Sequence, residues 1–162
     1  MFQARAIDNV EKSELYRELA QQLEALLSGE RDAIANSANT ASLLYHALPD
    51  VNWIGFYFLR GDELVLGPFQ GRPACVRIPV GKGVCGTAVA ERKSIRVEDV
   101  ATFAEHIVCD TASQSELVVP LVSDAGILGV LDLDSPLTGR FDAADQSGLE
   151  RIAAIYLAAT DF

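Results

Sequence analysis

The period of the hydrophobic pattern changes twice along this chain, and this change limits the possible folds more than any other feature. Apolar residues recur at helical spacing over residues 15–27 and again over residues 32–47. From Val51 onward the apolar residues are aromatic or branched and are divided by short turn sequences, which predicts β-hairpins. A last helical pattern covers residues 143–159. Helices on both sides of a run of hairpins favour an α+β fold with a central antiparallel sheet.

The predicted strands follow from their composition and from the turns between them. They cover residues 51–59, 63–67, 74–79, 94–97, 116–122 and 127–133, with a short helix over residues 84–91. We expect the helices of residues 1–48 and 143–160 to pack on one face of the sheet, which leaves the other face for a ligand pocket. Because no repeat or linker divides the 162 residues, we expect a single domain whose sheet and loops occupy residues 51–134.

The charge of the chain bears on its partners and location. With 13 basic and 23 acidic residues the net charge is −10, and such a surface repels phosphate groups. Nucleic acids and anionic membranes are therefore not expected as partners. The first residues contain no apolar stretch, so we expect no signal peptide, and no segment comes near the roughly 18 apolar residues of a spanning helix. Together with an odd number of cysteines, this predicts a cytoplasmic protein with free thiols.

The three cysteines lie in different local settings, and none belongs to a CxxC pair. Cys75 and Cys85 are 85 − 75 = 10 residues apart, and Cys85 and Cys109 are 109 − 85 = 24 residues apart. This spacing lacks the short ligand pairs of a zinc site, so we expect no metal. Distant thiols that meet in space are typical of a nucleophile with resolving thiols, which indicates redox chemistry on a sulfur or peroxide substrate.

Cys85 belongs to a glycine-rich sequence, residues 81–86, that follows a predicted strand and begins a helix. The sequence matches GxGxxG, but we reject a dinucleotide site because the chain continues as a hairpin without further βαβ units. We expect the glycines to form a tight turn that places Cys85 in the first helical turn, where backbone NH groups would lower its pKa. Cys109 lies in a polar sequence, which favours an accessible nucleophile over a buried structural thiol.

Aromatic residues of the first predicted strand form a candidate binding surface. Strand alternation places Trp53, Gly55 and Tyr57 on one face, and Ile54 and Phe56 on the opposite, core face. The glycine leaves room between the two larger rings. These rings fit either ordinary packing or an aromatic clamp around a small, partly apolar ligand.

Three carboxylates form a second candidate group. Asp132 and Asp134 point the same way out of an otherwise apolar strand, and Glu116 begins the neighbouring strand. Like charges on one face repel each other unless they share a proton or bind a cation. The group fits either a solvated acidic face or a pocket that holds an amino group and gives a proton to an oxygen. Because His46 and His106 lack ligand spacing with these acids, a metal is not favoured.

Taken together, these segments resemble the free methionine-(R)-sulfoxide reductases, which are single GAF-type domains. The resemblance rests on the segments Val51-Asn-Trp-Ile-Gly-Phe-Tyr, Leu66-Gly-Pro-Phe-Gln-Gly, Ala74-Cys-Val-Arg-Ile-Pro, Gly83-Val-Cys-Gly-Thr-Ala, His106-Ile-Val-Cys-Asp, Ser115-Glu-Leu-Val-Val-Pro-Leu and Gly129-Val-Leu-Asp-Leu-Asp-Ser-Pro. It implies two groups of site residues, namely the catalytic Cys109, Cys85 and Cys75 and the substrate-binding Trp53, Tyr57, Glu116, Asp132 and Asp134.

The resemblance also implies a reaction. Cys109 would attack the sulfur of free methionine-(R)-sulfoxide, release methionine and become a sulfenic acid. Cys85 would then form a disulfide with Cys109, and a thioredoxin-type dithiol would reduce it without any further cofactor. Cys75 would serve as a second resolving or relay thiol.

Other functions remain open from the sequence. A non-catalytic GAF domain that senses a small molecule or redox state would bind a ligand without consuming reducing equivalents. A thiol peroxidase would turn over peroxide and ignore sulfoxides. The apolar helical face near residues 152–157 fits either internal packing or a homodimer.

Overall fold

In the computed structural model, the described part of the chain contains six strands that form one antiparallel sheet in the order β3-β2-β1-β6-β5-β4. The structure describes Phe2, Ile7 and residues 10–104 and 111–162. The strands are β1 (Trp53–Arg60), β2 (Glu63–Gly71), β3 (Arg77–Pro79), β4 (Ile95–Val97), β5 (Ser115–Ser123) and β6 (Gly126–Ser135). The helices are α1 (Lys12–Leu27), α2 (Ala33–Ala47), α3 (Gly83–Glu91) and α4 (Ala143–Ala159), with a short 3₁₀ turn at Val100–Thr102. The predicted α+β class is confirmed.

Helices α1, α2 and α4 cover one face of the sheet, as predicted. Leu19 and Leu23 of α1 have no exposed surface, because the helical spacing of the leucines puts them on one side. Phe56 of β1 enters the same core, and its ring centre lies 4.7 Å from that of Tyr156 on α4. Ile152 and Tyr156 are fully buried, so this part of the apolar face of α4 packs internally. A homodimer stays a prediction.

A buried carboxylate joins the first and last helices. Asp145 of α4 has no exposed surface and accepts hydrogen bonds from Tyr16 Oη at 2.9 Å and Arg140 Nη1 at 3.0 Å. Lys12 Nζ lies 2.5 Å from the same carboxylate, which also receives the backbone NH of Asp142. Removing one partner of a buried ion pair is strongly destabilising, so this group fixes how α1 packs on α4.

The opposite face of the sheet carries α3. Val84 and Ala88 of α3 pack against Tyr57 and Val130 in a second, smaller core. Strand alternation is as predicted, since Trp53 and Tyr57 lie on this face while Phe56 lies on the other. Within the described residues, no helix has the length and apolar character needed to cross a membrane.

Candidate active site

The predicted binding side chains meet on the α3 face because two hairpins from distant parts of the chain pair there. Strand β1 pairs with β6 so that Trp53 lies opposite Asp134 and Gly55 lies opposite Asp132. Strand β5 then places Glu116 opposite Asp134. The register therefore brings the aromatic group and the acidic group together at one end of the sheet.

Two of the three carboxylates are buried. Glu116 and Asp132 are each 6% exposed, and Asp134 is partly buried. A solvated acidic face, which the sequence left open, is therefore wrong for Glu116 and Asp132. The Cys85 thiol donates a long hydrogen bond to Glu116 Oε1, with 3.9 Å between sulfur and oxygen. Asp132 Oδ1 is buried and has no hydrogen-bond partner among the described residues.

Burial changes the protonation of these acids. The pKa of Glu116 is raised well above its usual range, first by burial and then by the negative charges of Asp132 and Asp134. Burial also raises the pKa of Asp132 to about 7. Because the two carboxyl groups are close and poorly hydrated, the pair retains a proton at neutral pH. The site therefore contains a buried proton donor, the property that a reaction releasing an oxygen atom requires.

The glycine-rich turn places Cys85 in the first turn of α3, as predicted. The Gly81 NH donates to the Gly86 carbonyl at 2.8 Å, which closes the turn. A Cβ atom on Gly86 would collide with the carbonyl oxygen of Pro79, so this close approach requires glycine. The turn thus holds the start of α3, and with it Cys85, against the edge of the sheet.

The predicted effect of this position on the Cys85 thiol is wrong. The pKa of Cys85 is raised well above its usual value, first by burial and then by the charges of Asp132 and Glu116. A thiolate here would be buried next to two acids, and this outweighs the favourable field of the helix N-terminus. Cys85 is therefore a neutral thiol at neutral pH.

The aromatic residues pack closely on this face. Trp53 stacks on Tyr57 with 5.8 Å between ring centres, and on Phe69 with 5.4 Å. The space over Gly55 holds the Trp53 indole itself, since a Cβ atom at Gly55 would collide with that ring and with Phe69. The expectation that Gly55 leaves room between the two larger rings is therefore wrong. Contact between a ligand and some other part of the Trp53 and Tyr57 rings stays a prediction.

Both aromatic side chains also hold the loop between β2 and β3, a role that the sequence analysis missed. Trp53 Nε1 donates to the carbonyl of Arg72 at 3.1 Å, and the Tyr57 hydroxyl donates to the carbonyl of Cys75 at 2.9 Å. The polar ends of the two rings were the available signal, because buried indole and phenol groups usually find an acceptor. The position of the loop that carries Cys75 thus depends on hydrogen bonds from Trp53 and Tyr57.

The described cysteines differ in oxidation state. Cys75 is disulfide-bonded, whereas Cys85 is a free, buried thiol. The expectation of free thiols is wrong for Cys75, and the disulfide of this structure does not include Cys85, the predicted resolving residue. Cys109, the predicted nucleophile, and His106 lie outside the described residues.

A metal ion also has candidate ligands here. The sulfur of Cys85 and one oxygen each of Glu116 and Asp132 all lie within 4.8 Å of one another. The expectation of no metal rested on cysteine and histidine spacing, which does not detect ligands brought together by strand pairing. It stays a prediction.

Sequence comparison relates nearly the whole chain to known proteins. The model of the GAF domain family matches residues 14–160. The free methionine-R-sulfoxide reductase of Escherichia coli (strain K12) is 54% identical over 154 residues, which cover 93% of this chain and 93% of that protein.

Solved structures give the same result. The free methionine-R-sulfoxide reductase of Neisseria meningitidis in complex with its substrate is 43% identical, with a TM-score of 0.94 over 98% of this chain and 95% of that chain. The fRMsr of Staphylococcus aureus in its reduced form is 47% identical, with a TM-score of 0.88 over 96% of this chain and 99% of that chain. The likeness therefore extends over nearly the whole fold.

Proposed function

Because this chain belongs to the free methionine-(R)-sulfoxide reductases, a family of GAF-domain oxidoreductases, we propose that it reduces free L-methionine-(R)-sulfoxide to L-methionine. The observation that carries the proposal is the buried, protonated pair of Glu116 and Asp132 on the face formed by Trp53 and Tyr57. The substrate has an ammonium group, an oxygen that must gain protons and an apolar methyl thioether. This face offers chemistry suited to each of them.

Selectivity for the free amino acid has an electrostatic reason. An α-ammonium group pairs with carboxylates, and a methionine residue inside a polypeptide has no such group. Asp134 is less buried than Glu116 and Asp132 and lies opposite Glu116, so it is the acid that an ammonium group entering the site would reach first. We assign the ammonium contact to Asp134 and proton donation to Glu116 or Asp132. A free amino acid then gains an ion pair that a peptide cannot form.

The chemical step transfers oxygen from the substrate sulfur to an enzyme sulfur. Cys109, as thiolate, attacks the sulfoxide sulfur while the oxygen takes up a proton from the Glu116–Asp132 pair. The S–S bond formed by this attack and the S–O bond then break as the hydroxyl group passes to the Cys109 sulfur, so methionine leaves reduced and Cys109 is oxidised to a sulfenic acid. A second thiol then attacks this sulfenic acid, which forms a disulfide and releases water.

We assign this resolving step to Cys75. Among the described cysteines Cys75 is disulfide-bonded, while Cys85 is free and buried beside two acids. A neutral, buried thiol is a poor nucleophile. In the proposed cycle the sulfenic acid of Cys109 therefore forms its disulfide with Cys75. Cys75 thereby replaces Cys85, which the sequence analysis expected in this role.

The cycle needs an external reductant and no bound cofactor. A disulfide between Cys75 and Cys109 is reduced by exchange with a dithiol, and a thioredoxin-type protein supplies one. Such a reductant is available in the cytoplasm, which is where we place the protein. The loop position of Cys75, partly buried at the edge of the site, supports access by this partner.

Serine variants of the three cysteines test the assignment. We expect Cys109→Ser to release no methionine, and Cys75→Ser to release about one methionine per chain and then stop, because its sulfenic acid is not resolved. Cys85→Ser should continue through many turnovers with thioredoxin. If Cys85→Ser stopped after the first turnover and Cys75→Ser continued, the resolving step would belong to Cys85 after all.

A further inference from the structure

The cluster formed by Cys85, Glu116 and Asp132 has the composition of a metal site. Its three ligating atoms, one sulfur and two carboxylate oxygens, lie within 4.8 Å of one another, and the residues are only 3%, 6% and 6% exposed. Ligands of one tetrahedral zinc ion are roughly 3.3–3.7 Å apart, given the usual zinc–sulfur and zinc–oxygen bond lengths. Small rotations of the side chains would therefore close the cluster around an ion.

A second observation points to a ligand independently of this spacing. Asp132 Oδ1 is buried and has no hydrogen-bond partner in the described part of the chain. A buried polar atom without a partner is costly and calls for an explanation. Asp132 is held in place by the pairing of β6 with both β1 and β5, so the strand cannot turn this oxygen toward water. A bound cation is a partner that such a carboxylate oxygen can coordinate.

We propose that Cys85, Glu116 and Asp132 bind a zinc ion that excludes the substrate from the acidic site. Zinc accepts sulfur and oxygen ligands in a four-coordinate site, whereas Mg²⁺ and Ca²⁺ take oxygen ligands and more of them. As the ion binds, the Cys85 proton and the proton retained by the Glu116–Asp132 pair leave to solvent, and no electron is transferred. Water occupies the fourth position. The ion also supplies a positive charge, which the thiol of Cys85 and the carboxyl groups of Glu116 and Asp132 lack.

The two parts of the proposal are separable. Zinc binding depends on Cys85, Glu116 and Asp132 alone. Exclusion of the substrate rests on the proposed function, in which the same two acids act on methionine sulfoxide. A zinc-bound carboxylate cannot donate a proton or receive the substrate, so zinc and sulfoxide compete. The competition would make the reductase sensitive to free zinc.

The binding test uses a chain in which Cys85 is the sole cysteine, namely the Cys75→Ser/Cys109→Ser double variant. Cd²⁺ serves as the probe, because cadmium bound to a thiolate has an ultraviolet charge-transfer band. We expect this band to saturate at an equimolar ratio, and zinc to displace cadmium while Mg²⁺ does not. A folded variant that shows no band, or a band displaced by Mg²⁺, would overturn the proposal.

Two aspartate variants on this background separate a three-ligand site from a lone thiol. Asp132→Asn should weaken zinc binding by about tenfold or more, because it removes one charged ligand with little change of volume. Asp124→Asn, in the exposed turn between β5 and β6, is the matched control and should bind as tightly as the parent. Equal zinc affinity in both variants would show that sulfur alone binds the ion and would contradict the site.

A stability measurement covers the case in which the double variant does not fold. In the oxidised intact chain Cys75 is bonded, and zinc that binds only the folded state should raise the melting temperature. The rise should be lost in Asp132→Asn, and retention there would overturn the proposal.

Competition is then measured without turnover. Free methionine sulfoxide should reduce the cadmium band of the sole-cysteine chain. If the chain binds cadmium as expected but the sulfoxide does not reduce the band, zinc binding stands and the exclusion of the substrate is refuted. Because the double variant lacks Cys75 and Cys109, neither result depends on reductase activity.

Discussion

The protonation of individual acids accounts for the chemistry of the site. Glu116 and Asp132 are buried on adjacent strands, and burial raises the pKa of both carboxyl groups. Strand alternation was enough to place Asp132 and Asp134 on one face. Their burial could not be predicted from sequence, because it depends on α3 and on the pairing of β1 with β6, which are long-range features.

The first prediction concerns the effect of pH on stability. The pKa of Asp132 rises from 3.8 to about 7 on folding, so the folded state binds its proton more tightly than the unfolded state. Its contribution to the free energy of unfolding is complete below the lower value and is lost as pH rises through the higher one. Asp132→Asn does not titrate. We therefore expect the variant to gain about 2–4 kcal/mol relative to wild type between about pH 4 and about pH 8.

Urea unfolding at the two pH values measures this difference. Asp124→Asn removes an exposed carboxyl group and serves as the control, with no comparable trend expected. Asp132→Asn should also lose most reductase activity, because the substitution removes a carboxyl group of the proposed proton donor. A stability difference that stayed constant with pH would contradict the raised pKa.

The second prediction concerns the Tyr57 hydroxyl, which holds the carbonyl of Cys75. Tyr57→Phe keeps the ring and removes this one hydrogen bond. We expect the first methionine to be released at an unchanged rate, while steady-state turnover falls about two- to tenfold, because Cys75 is less well placed to form the disulfide. Rapid-quench measurement of both phases tests this.

Tyr45→Phe is a matched control, since Tyr45 lies on α2 and packs on the other face of the sheet. Both phases should be unchanged in this variant. A slower first turnover in Tyr57→Phe would assign the hydroxyl to substrate reduction instead.

At the scale of elements, the glycine-rich turn determines where α3 begins. Gly86 packs so closely on the Pro79 carbonyl that no Cβ atom fits. Alanine normally stabilises a helical position by about 1 kcal/mol relative to glycine. Here we predict the opposite sign, with Gly86→Ala destabilising by about 1–3 kcal/mol, because the clash is with backbone and must displace α3.

Thermal or urea unfolding measures this loss. Ala90→Gly, at an exposed position of the same helix, provides the reference and should cost about 1 kcal/mol through helix propensity alone. A stabilised Gly86→Ala would mean that the turn does not restrain α3.

The elements themselves were largely predictable, since α1, α2 and α4 and the β5–β6 hairpin follow from local periodicity. Two boundaries were not. Strand β2 continues to Gly71 because Trp53 pairs with that residue on the neighbouring strand. Strand β3 begins only at Arg77, because the preceding residues form the loop held by Trp53 and Tyr57. Both differences arise from contacts between segments that sequence pattern alone does not connect.

At the scale of the molecule, the strand order creates the site. Strands β1 and β6 are neighbours at the centre of the sheet although four strands, β2 to β5, and α3 lie between them along the chain. The three terminal helices close one face, so ligand chemistry is confined to the other. Fold class was predictable from composition and period, but strand order was not, because antiparallel hairpins can be arranged in several orders with the same local pattern.

The central claim is that the acidic face selects a free methionine sulfoxide for reduction. The measurement that tests it most directly is methionine release with thioredoxin or dithiothreitol from three substrates, namely free L-methionine-(R)-sulfoxide, the free (S) form and a peptide-bound sulfoxide. We predict sustained release from the free (R) compound and none from the other two. Release from none of the three, with binding of the free (R) compound that consumes no reductant, would contradict the account and identify the protein as a sensor.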